Sequence, residues 1–267
     1  MRICRFIDES NRICVGHAYA DGQAALFEDT GHGFKDTQQR VVVKQLLSPV
    51  APINVLGIGL NYHDHAKETG AELPKHPILF MKNIAAVTGP DSPIHLPASC
   101  IDPLQVDFEG ELAVVIGKPA KNVKAENALE YVLGYTIAND VSARRWQKHA
   151  GGGQWCKGKS FDTFCPLGPE VVTVDEITDP QTLTIQTRVN GELMQNGHTK
   201  DMIFSVAKII EFLSEDATLL PGTVILTGTP SGVGYARDPR VFLKAGDKVE
   251  ISISGIGTLV NSVVAGN

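Results

Sequence analysis

Three carboxylates stand where the sequence predicts a cation site. Glu109 and Glu111 lie within VDFEGELAVVIG, residues 106–117, an apolar run typical of a buried strand. Successive side chains of a strand alternate between its faces, so these two glutamates, separated by Gly110, point the same way and leave the other face empty. Two adjacent carboxylates repel each other, and their burial requires a cation between them or a basic partner for each.

A third carboxylate, Asp140, comes directly after the predicted strand GYTIAN, residues 134–139. If that strand end lies beside the glutamate strand, three oxygen donors meet at one point. Carboxylates without histidine or thiol among them favour a hard cation, Mg²⁺ or Mn²⁺. The spacing alone is equally consistent with an edge strand whose glutamates pair with lysines, so both interpretations stay open.

A possible acid–base pair lies in HDHAKE, residues 63–68. His65 and Glu68 are three residues apart and share a face if this segment is a short helix. A carboxylate that orients an imidazole makes a general base able to activate water. The alternative is a surface helix with a local ion pair. His63 and His76 lie nearby, but no third nitrogen or thiol donor at zinc spacing follows them.

Three glycine-containing stretches offer further candidate positions or motifs. Lys159, in GGGQWCKGKSF, residues 151–161, suits an electrostatic clamp for an anionic substrate, although such a residue is also commonly a surface lysine. TGTPSGVG, residues 227–234, lacks the G-K-[ST] of a Walker A motif. It could present backbone N–H groups to a carboxylate, or it could be a plain turn. GIGLNY, residues 57–62, has Tyr62 where a dinucleotide fingerprint needs its third glycine.

Bulk properties restrict the class of protein. The 267 residues are 43% hydrophobic and 20% charged, enough for one large core or a core with a small appended module. A net charge of −6 without a dense basic cluster argues against a nucleic-acid partner and favours a small-molecule substrate. We find no signal-peptide pattern and no apolar run of membrane-spanning length, so we expect no membrane partner. Five cysteines without a C-x-x-C pair are typical of reduced thiols and predict a cytoplasmic location.

Short strands must position these residues. Strand-like runs outnumber helical ones and do not alternate with them, which predicts a mainly β (α+β) fold and not a doubly wound parallel sheet. Asn190-Gly191 predicts a two-residue hairpin turn. Helical spacing predicts helices over residues 124–134 and 202–214. A proline-bearing composition shift at residues 48–55 predicts a small domain over 1–52 and a catalytic domain over 53–267. The predicted strands are 53–60, 77–82, 106–117, 134–139, 182–189, 223–228 and 247–253.

Taken in order, these motifs closely resemble the fumarylacetoacetate hydrolase family, in its shorter acylpyruvase-like, FAH-domain-containing form. The resemblance runs from about residue 53 to the C-terminus. The segments that carry it are GLNYHDHAKE, ILFMK, VDFEGELAVVIG, GYTIANDVSARRWQ, QWCKGKSFDTFCPLGP, VNGELMQ, TKDMIF, PGTVILTGTPSGVG and FLKAGDKVEISISGIGTLVN.

That resemblance implies a mixed β-sandwich roll with few helices, a small variable N-terminal domain, usually a homodimer, and a Mg²⁺ or Mn²⁺ site. It implies that Glu109, Glu111 and Asp140 are the metal ligands. His65 and Glu68 match a water-activating dyad on a lid, and Lys159 matches a catalytic cation. The positions matching substrate contacts are Gln147, Thr229, Arg144 and Lys82. The loop KHAGGGQ beside Gln147 departs from the commonest family pattern and leaves the substrate open.

The activity expected from this set is cleavage or proton transfer next to a 2-oxo acid. We expect hydrolysis of the C3–C4 bond of an acylpyruvate, through an enolate that the metal stabilises. The alternative on the same residues is decarboxylation or keto–enol tautomerisation of oxaloacetate. A third interpretation is a non-catalytic metal-binding or interaction protein. The predicted water-activating pair argues against it, because such a protein has no use for a general base.

Overall fold

The computed structural model describes residues 1–30 and 34–266. Strands dominate it and helices are few, as predicted. No helix in the described residues is long and apolar enough to cross a membrane. The strands are β1 Arg2–Asp8, β2 Ile13–Ala20, β3 Gln23–Asp29, β4 Phe34–Leu47, β5 Asn54–Gly59, β6 Ile78–Lys82, β7 Val87–Thr88, β8 Ile94–Leu96, β9 Val106–Asp107, β10 Gly110–Ile116, β11 Val132–Asn139, β12 Ser142–Ala143, β13 Cys165–Thr173, β14 Thr184–Val189, β15 Glu192–His198, β16 Thr223–Leu226, β17 Lys248–Ile253 and β18 Gly257–Ala265.

The α-helices are short and lie between strands. Of the two longest, α1 carries the predicted dyad and α4 has an apolar face that packs on the core. The α-helices are α1 His63–Thr69, α2 Arg144–Lys148, α3 Trp155–Gly158 and α4 Val206–Ser214. The 3₁₀ helices are Ile84–Ala86, Ala98–Cys100, Ala125–Tyr131, Pro180–Thr182, Thr199–Asp201 and Gly234–Ala236.

Two mixed sheets form the body of the described chain. The larger runs β2-β3-β4-β1-β13-β11-β10-β16-β5-β6, with β7 beside β13, and the smaller runs β15-β14-β17-β18-β8. A two-stranded ladder joins β9 and β12. The central strand β10 is buried along its whole length because it lies between β11 and β16 in one sheet and faces the second sheet.

Gly110 explains how closely the two sheets approach at the predicted cation site. A Cβ on Gly110 would lie 2.2 Å from Thr187 Oγ1 and 3.1 Å from a methyl of Ile251, both in the smaller sheet. The face opposite the two glutamates, expected to be empty, is therefore filled by the neighbouring sheet. Only a residue without a side chain fits between the two glutamates.

The N-terminal segment joins the larger sheet. Strands β1 to β4 pair in a closed cycle, and β1 also pairs with β13. Four buried side chains, Cys4, Phe6, Cys14 and Ala24, form a small core of their own there. The division into a small domain over residues 1–52 and a catalytic domain over 53–267 stays a prediction.

Several local predictions need correction. The segment predicted as a helix over 124–134 is a 3₁₀ helix, Ala125–Tyr131, that contacts α4, and the residues from Val132 onward belong to β11 instead. The helix predicted from residue 202 begins at Val206, where the Ser205 side chain accepts a hydrogen bond from the Lys208 N–H. The strand predicted over 106–117 is interrupted at Phe108 and Glu109.

The predicted hairpin is confirmed. Strands β14 and β15 pair from Val189 and Glu192 outward, with Asn190 and Gly191 as the two turn residues. Both have positive φ, 52° and 82°, as a type I′ turn requires.

Candidate active site

The three predicted ligands converge. Oxygen atoms of Glu109, Glu111 and Asp140 all lie within 4.8 Å of one another, and all three residues are buried. The register explains this convergence: Glu111 lies opposite Ala138, and the Asp140 N–H donates to the Glu109 carbonyl at 2.9 Å. Adjacent antiparallel strands thus bring the beginning of β10 and the end of β11 to one point.

Three buried cations surround these carboxylates. Lys82 Nζ donates to Asp140 Oδ1 at 2.5 Å, and Lys159 Nζ donates to Glu109 Oε2 at 2.8 Å and also to Asp140. Arg144 NH1 donates to Glu109 Oε1 at 2.6 Å. The sequence left open a choice between a cation site and lysine-paired glutamates; the structure has lysine and arginine partners for two of the three carboxylates.

Glu111 is the exception. One of its oxygens accepts the Gly228 N–H at 2.7 Å, and no ion pair joins it to a basic side chain within residues 1–30 and 34–266. Burial raises its pKa, and the charges of Asp140 and Glu109 raise it further. For Glu109, burial also raises the pKa, but the charges of Lys159 and Arg144 outweigh burial and lower it well below its ordinary value.

These donors fit a divalent cation. An all-oxygen set with one carboxylate lacking a cationic partner suits a hard ion such as Mg²⁺ or Mn²⁺. Glu111 and Glu109 both line a cavity of about 190 Å³, so a cation held there would face a bound small molecule. Asp140 lies behind them, fully buried against Lys82 and Lys159.

The predicted dyad lies at the same cavity. On α1, His65 Nδ1 and Glu68 Oε1 are 2.7 Å apart, and the Gly232 N–H donates to the other Glu68 oxygen at 2.9 Å. His65 is 8% exposed and lines the cavity, while Glu68 lies behind it. With Nδ1 held by Glu68, Nε2 is the ring nitrogen available to a ligand.

The remaining predicted residues occupy different positions. Lys159, Arg144, Gln147 and Thr229 line the cavity. Lys82 was expected to contact the substrate, but it is not among the described residues that line the cavity. Its ammonium donates instead to Asp140 and to the Val141 carbonyl. The complete cavity lining is Ile58, Gly59, Leu60, His65, Thr69, Ala71, Ile78, Phe80, Glu109, Glu111, Arg144, Gln147, Lys148, Trp155, Lys159, Thr229, Val233 and Tyr235.

The Thr229 hydroxyl already has two protein partners. It donates to the Gly110 carbonyl at 2.9 Å and accepts from Gln195 Nε2 at 2.7 Å. Gln195, on β15 of the smaller sheet, also accepts the Gly110 N–H at 2.9 Å. This network ties the glutamate strand to the second sheet. Gln195 was not singled out from sequence, because its partners are more than 30 residues away along the chain.

Asp107 was not singled out from the sequence, although it contacts two parts of the site. Its carboxylate receives Arg144 Nε at 2.8 Å and the backbone N–H groups of Gly234 and Tyr235, each at 2.9 Å. It thereby positions both Arg144 and the turn that follows the glycine-rich loop. A signal was present, because Asp107 precedes Glu109 by two residues within the same apolar run.

The glycine-rich loop over 227–234 presents N–H groups to carboxylates, one of its two predicted roles. Gly228, Gly232 and Gly234 donate to Glu111, Glu68 and Asp107 respectively. Gly232 has φ 104°, and a Cβ there would lie 2.1 Å from the Met194 carbonyl oxygen, so the loop requires glycine at this position. One loop thus contacts both the acidic cluster and the dyad.

The profile of the family described as Fumarylacetoacetate (FAA) hydrolase C-terminal matches residues 54–264. The chain belongs to this family. This match confirms the resemblance. The matched range contains the residues of the acidic cluster, of the dyad and of the cavity lining.

Members of the fumarylacetoacetate hydrolase family with similar sequences carry different reaction names. The chain is 47% identical over 247 residues to the Oxaloacetate tautomerase fahd2, mitochondrial, of Xenopus laevis, a match that covers 91% of this chain and 76% of the frog protein. It superimposes with a TM-score of 0.86 and 39% identity on the 5-carboxymethyl-2-hydroxymuconate delta-isomerase from Mycobacterium smegmatis, covering 99% of this chain and 100% of that chain. The fumarylacetoacetate hydrolase from Exiguobacterium antarcticum gives a TM-score of 0.83 and 39% identity, with 99% of each chain covered.

Proposed function

We propose that this protein is a divalent-metal-dependent enzyme that interconverts the keto and enol forms of oxaloacetate. The observation that carries the proposal is that His65, oriented by Glu68, lines the same small cavity as Glu109 and Glu111. The similarity to the oxaloacetate tautomerase of Xenopus laevis supports this substrate.

In this proposal Glu109, Glu111 and Asp140 hold the cation. When bound, it would polarise the 2-oxo group of the substrate and stabilise the negative charge that develops on that oxygen. Mg²⁺ and Mn²⁺ both accept an all-carboxylate set, and we expect either ion to support activity.

His65 is the proposed proton carrier. Its Nε2 takes a proton from C3 of the keto acid, the C2–C3 double bond forms, and the same proton is delivered to the oxygen on C2, so no water or co-reactant is consumed. Glu68 keeps the ring oriented and stabilises the imidazolium during transfer. A carboxylate partner of this kind also fixes which ring nitrogen is protonated.

Lys159 and Arg144 are proposed to hold the carboxylates and the substrate in place. Both cations line the cavity, and both pair with Glu109. Burial lowers the pKa of Lys159, but the charges of Asp140 and Glu109 outweigh burial and raise it, so its ammonium stays charged. Gln147 Oε1 accepts from Arg144 at 2.9 Å, which leaves its amide nitrogen for a ligand at the cavity wall. Thr229 completes this wall.

Hydrolysis of an acylpyruvate is the second candidate. The His65–Glu68 pair favours it, because the same base could direct water at a C4 carbonyl and break the C3–C4 bond. The hydrolase name of the Exiguobacterium antarcticum protein is consistent with this reaction. The expected acylpyruvate hydrolase activity is unconfirmed, and the names of the similar sequences favour the tautomerase. Decarboxylation of oxaloacetate would use the same cation without the water.

One assay separates these reactions. Purified protein with Mg²⁺ or Mn²⁺ is mixed with freshly dissolved oxaloacetate, and the enol absorbance is followed while pyruvate is measured enzymatically. Tautomerisation changes the enol absorbance without releasing pyruvate. Release of pyruvate from oxaloacetate indicates decarboxylation, and release from an acylpyruvate indicates hydrolysis. If EDTA leaves the rates of all three reactions unchanged, the protein is not the metal-dependent enzyme that we propose.

Two further expectations belong to this proposal. We retain the homodimer implied by the family resemblance, which light scattering of the purified chain tests directly. We also retain a reducing, cytoplasmic environment: Cys156 is exposed and the other four cysteines are buried as free thiols. The frog relative carries the word mitochondrial in its name, and fractionation of cells that express the chain distinguishes the two locations.

A further inference from the structure

Lys148 differs from the other cations that line the cavity. Arg144 is committed to Asp107 and Glu109, and Lys159 to Glu109 and Asp140. Lys148 also lines the cavity, but within residues 1–30 and 34–266 no hydrogen bond or ion pair joins its ammonium to a carboxylate. It is the lining lysine left free to meet a charge on a ligand.

The position of Lys148 is held by the ring of Tyr235. Lys148 Nζ lies 4.6 Å from the ring centroid, and Arg144 Cζ, one helical turn earlier on α2, lies 6.0 Å from the same centroid. Arg240 Cζ lies 4.2 Å from that centroid. Three cations therefore lie close to the Tyr235 ring, and two of them, Arg144 and Lys148, line the cavity.

Two adjoining cavities share this part of the wall. Lys148 and Tyr235 line both the inner cavity and an adjoining one of about 360 Å³, which Arg237 and Arg240 also line. Arg237 is occupied by the backbone carbonyls of Gly232 and Met194. The carboxylates Glu68 and Asp238 also line the outer cavity, so the positive charge is concentrated at the Tyr235 ring and not over the whole opening.

We propose that Lys148, held against Tyr235, binds the second carboxylate of the substrate and thereby selects dicarboxylic 2-oxo acids over monocarboxylic ones. The inference rests on the proposed function and specifies its substrate class. The inner end of such a substrate lies near Glu109 and Glu111, and its outer carboxylate lies at the ammonium of Lys148. Arg240, exposed beyond the ring, contributes attraction without direct contact.

Two stable ligands that differ only in the outer group test this assignment. L-malate carries a carboxylate where L-2-hydroxybutanoate carries a methyl group, and neither is turned over by keto–enol chemistry. Dissociation constants for both are measured by calorimetry with the Mg²⁺-loaded protein. For Lys148→Met we expect a loss of about tenfold in malate affinity, the scale of one exposed charge-assisted contact, and an unchanged affinity for 2-hydroxybutanoate.

Two further variants complete the experiment. Lys148→Arg should keep most of the malate affinity, because the charge remains. Lys121→Met removes an exposed lysine away from the cavity and should change neither ligand. An equal loss for both ligands in Lys148→Met, an unchanged malate affinity, or no binding of malate to the parent protein overturns the inference. Turnover of oxaloacetate by the parent protein is measured separately, so a failure there counts against the proposed function alone.

Discussion

Lys159 Nζ lies 2.8 Å from Glu109 Oε2, deep in the protein, where it also contacts Asp140. One ammonium therefore joins carboxylates at the ends of two adjacent strands, β10 and β11, where like charges would otherwise repel. The Ser142 hydroxyl accepts a third bond from the same group at 2.9 Å. The cluster is thus partly neutralised by the protein itself, and Glu111 is the carboxylate of the three without a cationic partner among the described residues.

Lys159→Met should destabilise the metal-free protein strongly. Removing one partner of a buried ion pair leaves uncompensated charge and costs about 3–5 kcal/mol of unfolding free energy. Urea denaturation with EDTA measures the loss. Added Mg²⁺ should restore more stability in the variant than in the parent, because the ion takes over neutralisation of Glu109 and Asp140. Equal stabilisation of both proteins by Mg²⁺ would contradict this account.

Glu109→Gln and Glu111→Gln should differ in stability although both lose Mg²⁺ binding. Glu109 neutralises Arg144 and Lys159, so its replacement should cost about 3 kcal/mol or more. Glu111 is buried without a cationic partner among the described residues, so its replacement should leave the metal-free protein as stable as the parent or more stable. Denaturation in EDTA and calorimetry with Mg²⁺ measure the two properties. Equal destabilisation by both variants would refute the assigned asymmetry.

His65→Ala should keep Mg²⁺ binding and lose catalysis. The imidazole lines the cavity but makes no bond to the three carboxylates, so the affinity for the ion should stay within about twofold. Loss of a general base typically lowers turnover by about 10²–10⁴-fold. Glu68→Gln should give a smaller loss, since the imidazole remains but its orientation weakens. Parent-like turnover by His65→Ala would remove the dyad from the mechanism.

Gly110→Ala should destabilise the junction of the two sheets. The added methyl would lie 2.2 Å from Thr187 Oγ1, a buried hydroxyl that cannot move away freely. Overpacking of this kind costs about 1–3 kcal/mol. Thr187→Ala in the same chain removes the clashing oxygen and should recover part of the loss. A double-mutant cycle measures the coupling, and strict additivity would show that Thr187 is not the obstacle.

Glu170→Gln should change the pH dependence of stability. Burial raises the pKa of Glu170, partly opposed by Arg2, and one of its oxygens has no hydrogen-bond partner within the described residues. A raised folded-state pKa means that the folded protein binds more protons, so this contribution is present below the ordinary pKa of glutamate and is lost as pH rises. The variant should therefore gain stability relative to the parent between pH 4 and pH 7. Urea denaturation at both pH values is the measurement, and a constant difference would contradict it.

The sequence predicted the parts of this site that depend on local order. The alternation of Glu109 and Glu111, the i,i+3 spacing of His65 and Glu68, and the turn at Asn190-Gly191 each follow from backbone geometry. The position of Asp140 beside the glutamate strand was expected, and the register of β10 with β11 provides it.

Contacts between distant segments were not predictable in the same way. Asp107 meets Gly234 and Tyr235 across 127 and 128 residues, and Gln195 meets Gly110 across 85. No local pattern encodes which loop returns to which strand. Lys82 illustrates the same limit, because its pairing with Asp140 depends on the placement of the edge strand β6 relative to a strand end 58 residues away.

Different structural elements form the two sides of the cavity. Glu109, Glu111 and Asp140 are set by the register of paired strands in the centre of the larger sheet, where any shift disturbs the core. His65 and Lys148 stand on the short helices α1 and α2, outside the two sheets. We therefore expect substitutions on these helices to disturb the core less than substitutions in the central strands. The isomerase and the hydrolase that superimpose on this chain have different reaction names, as expected when one fold holds different sites.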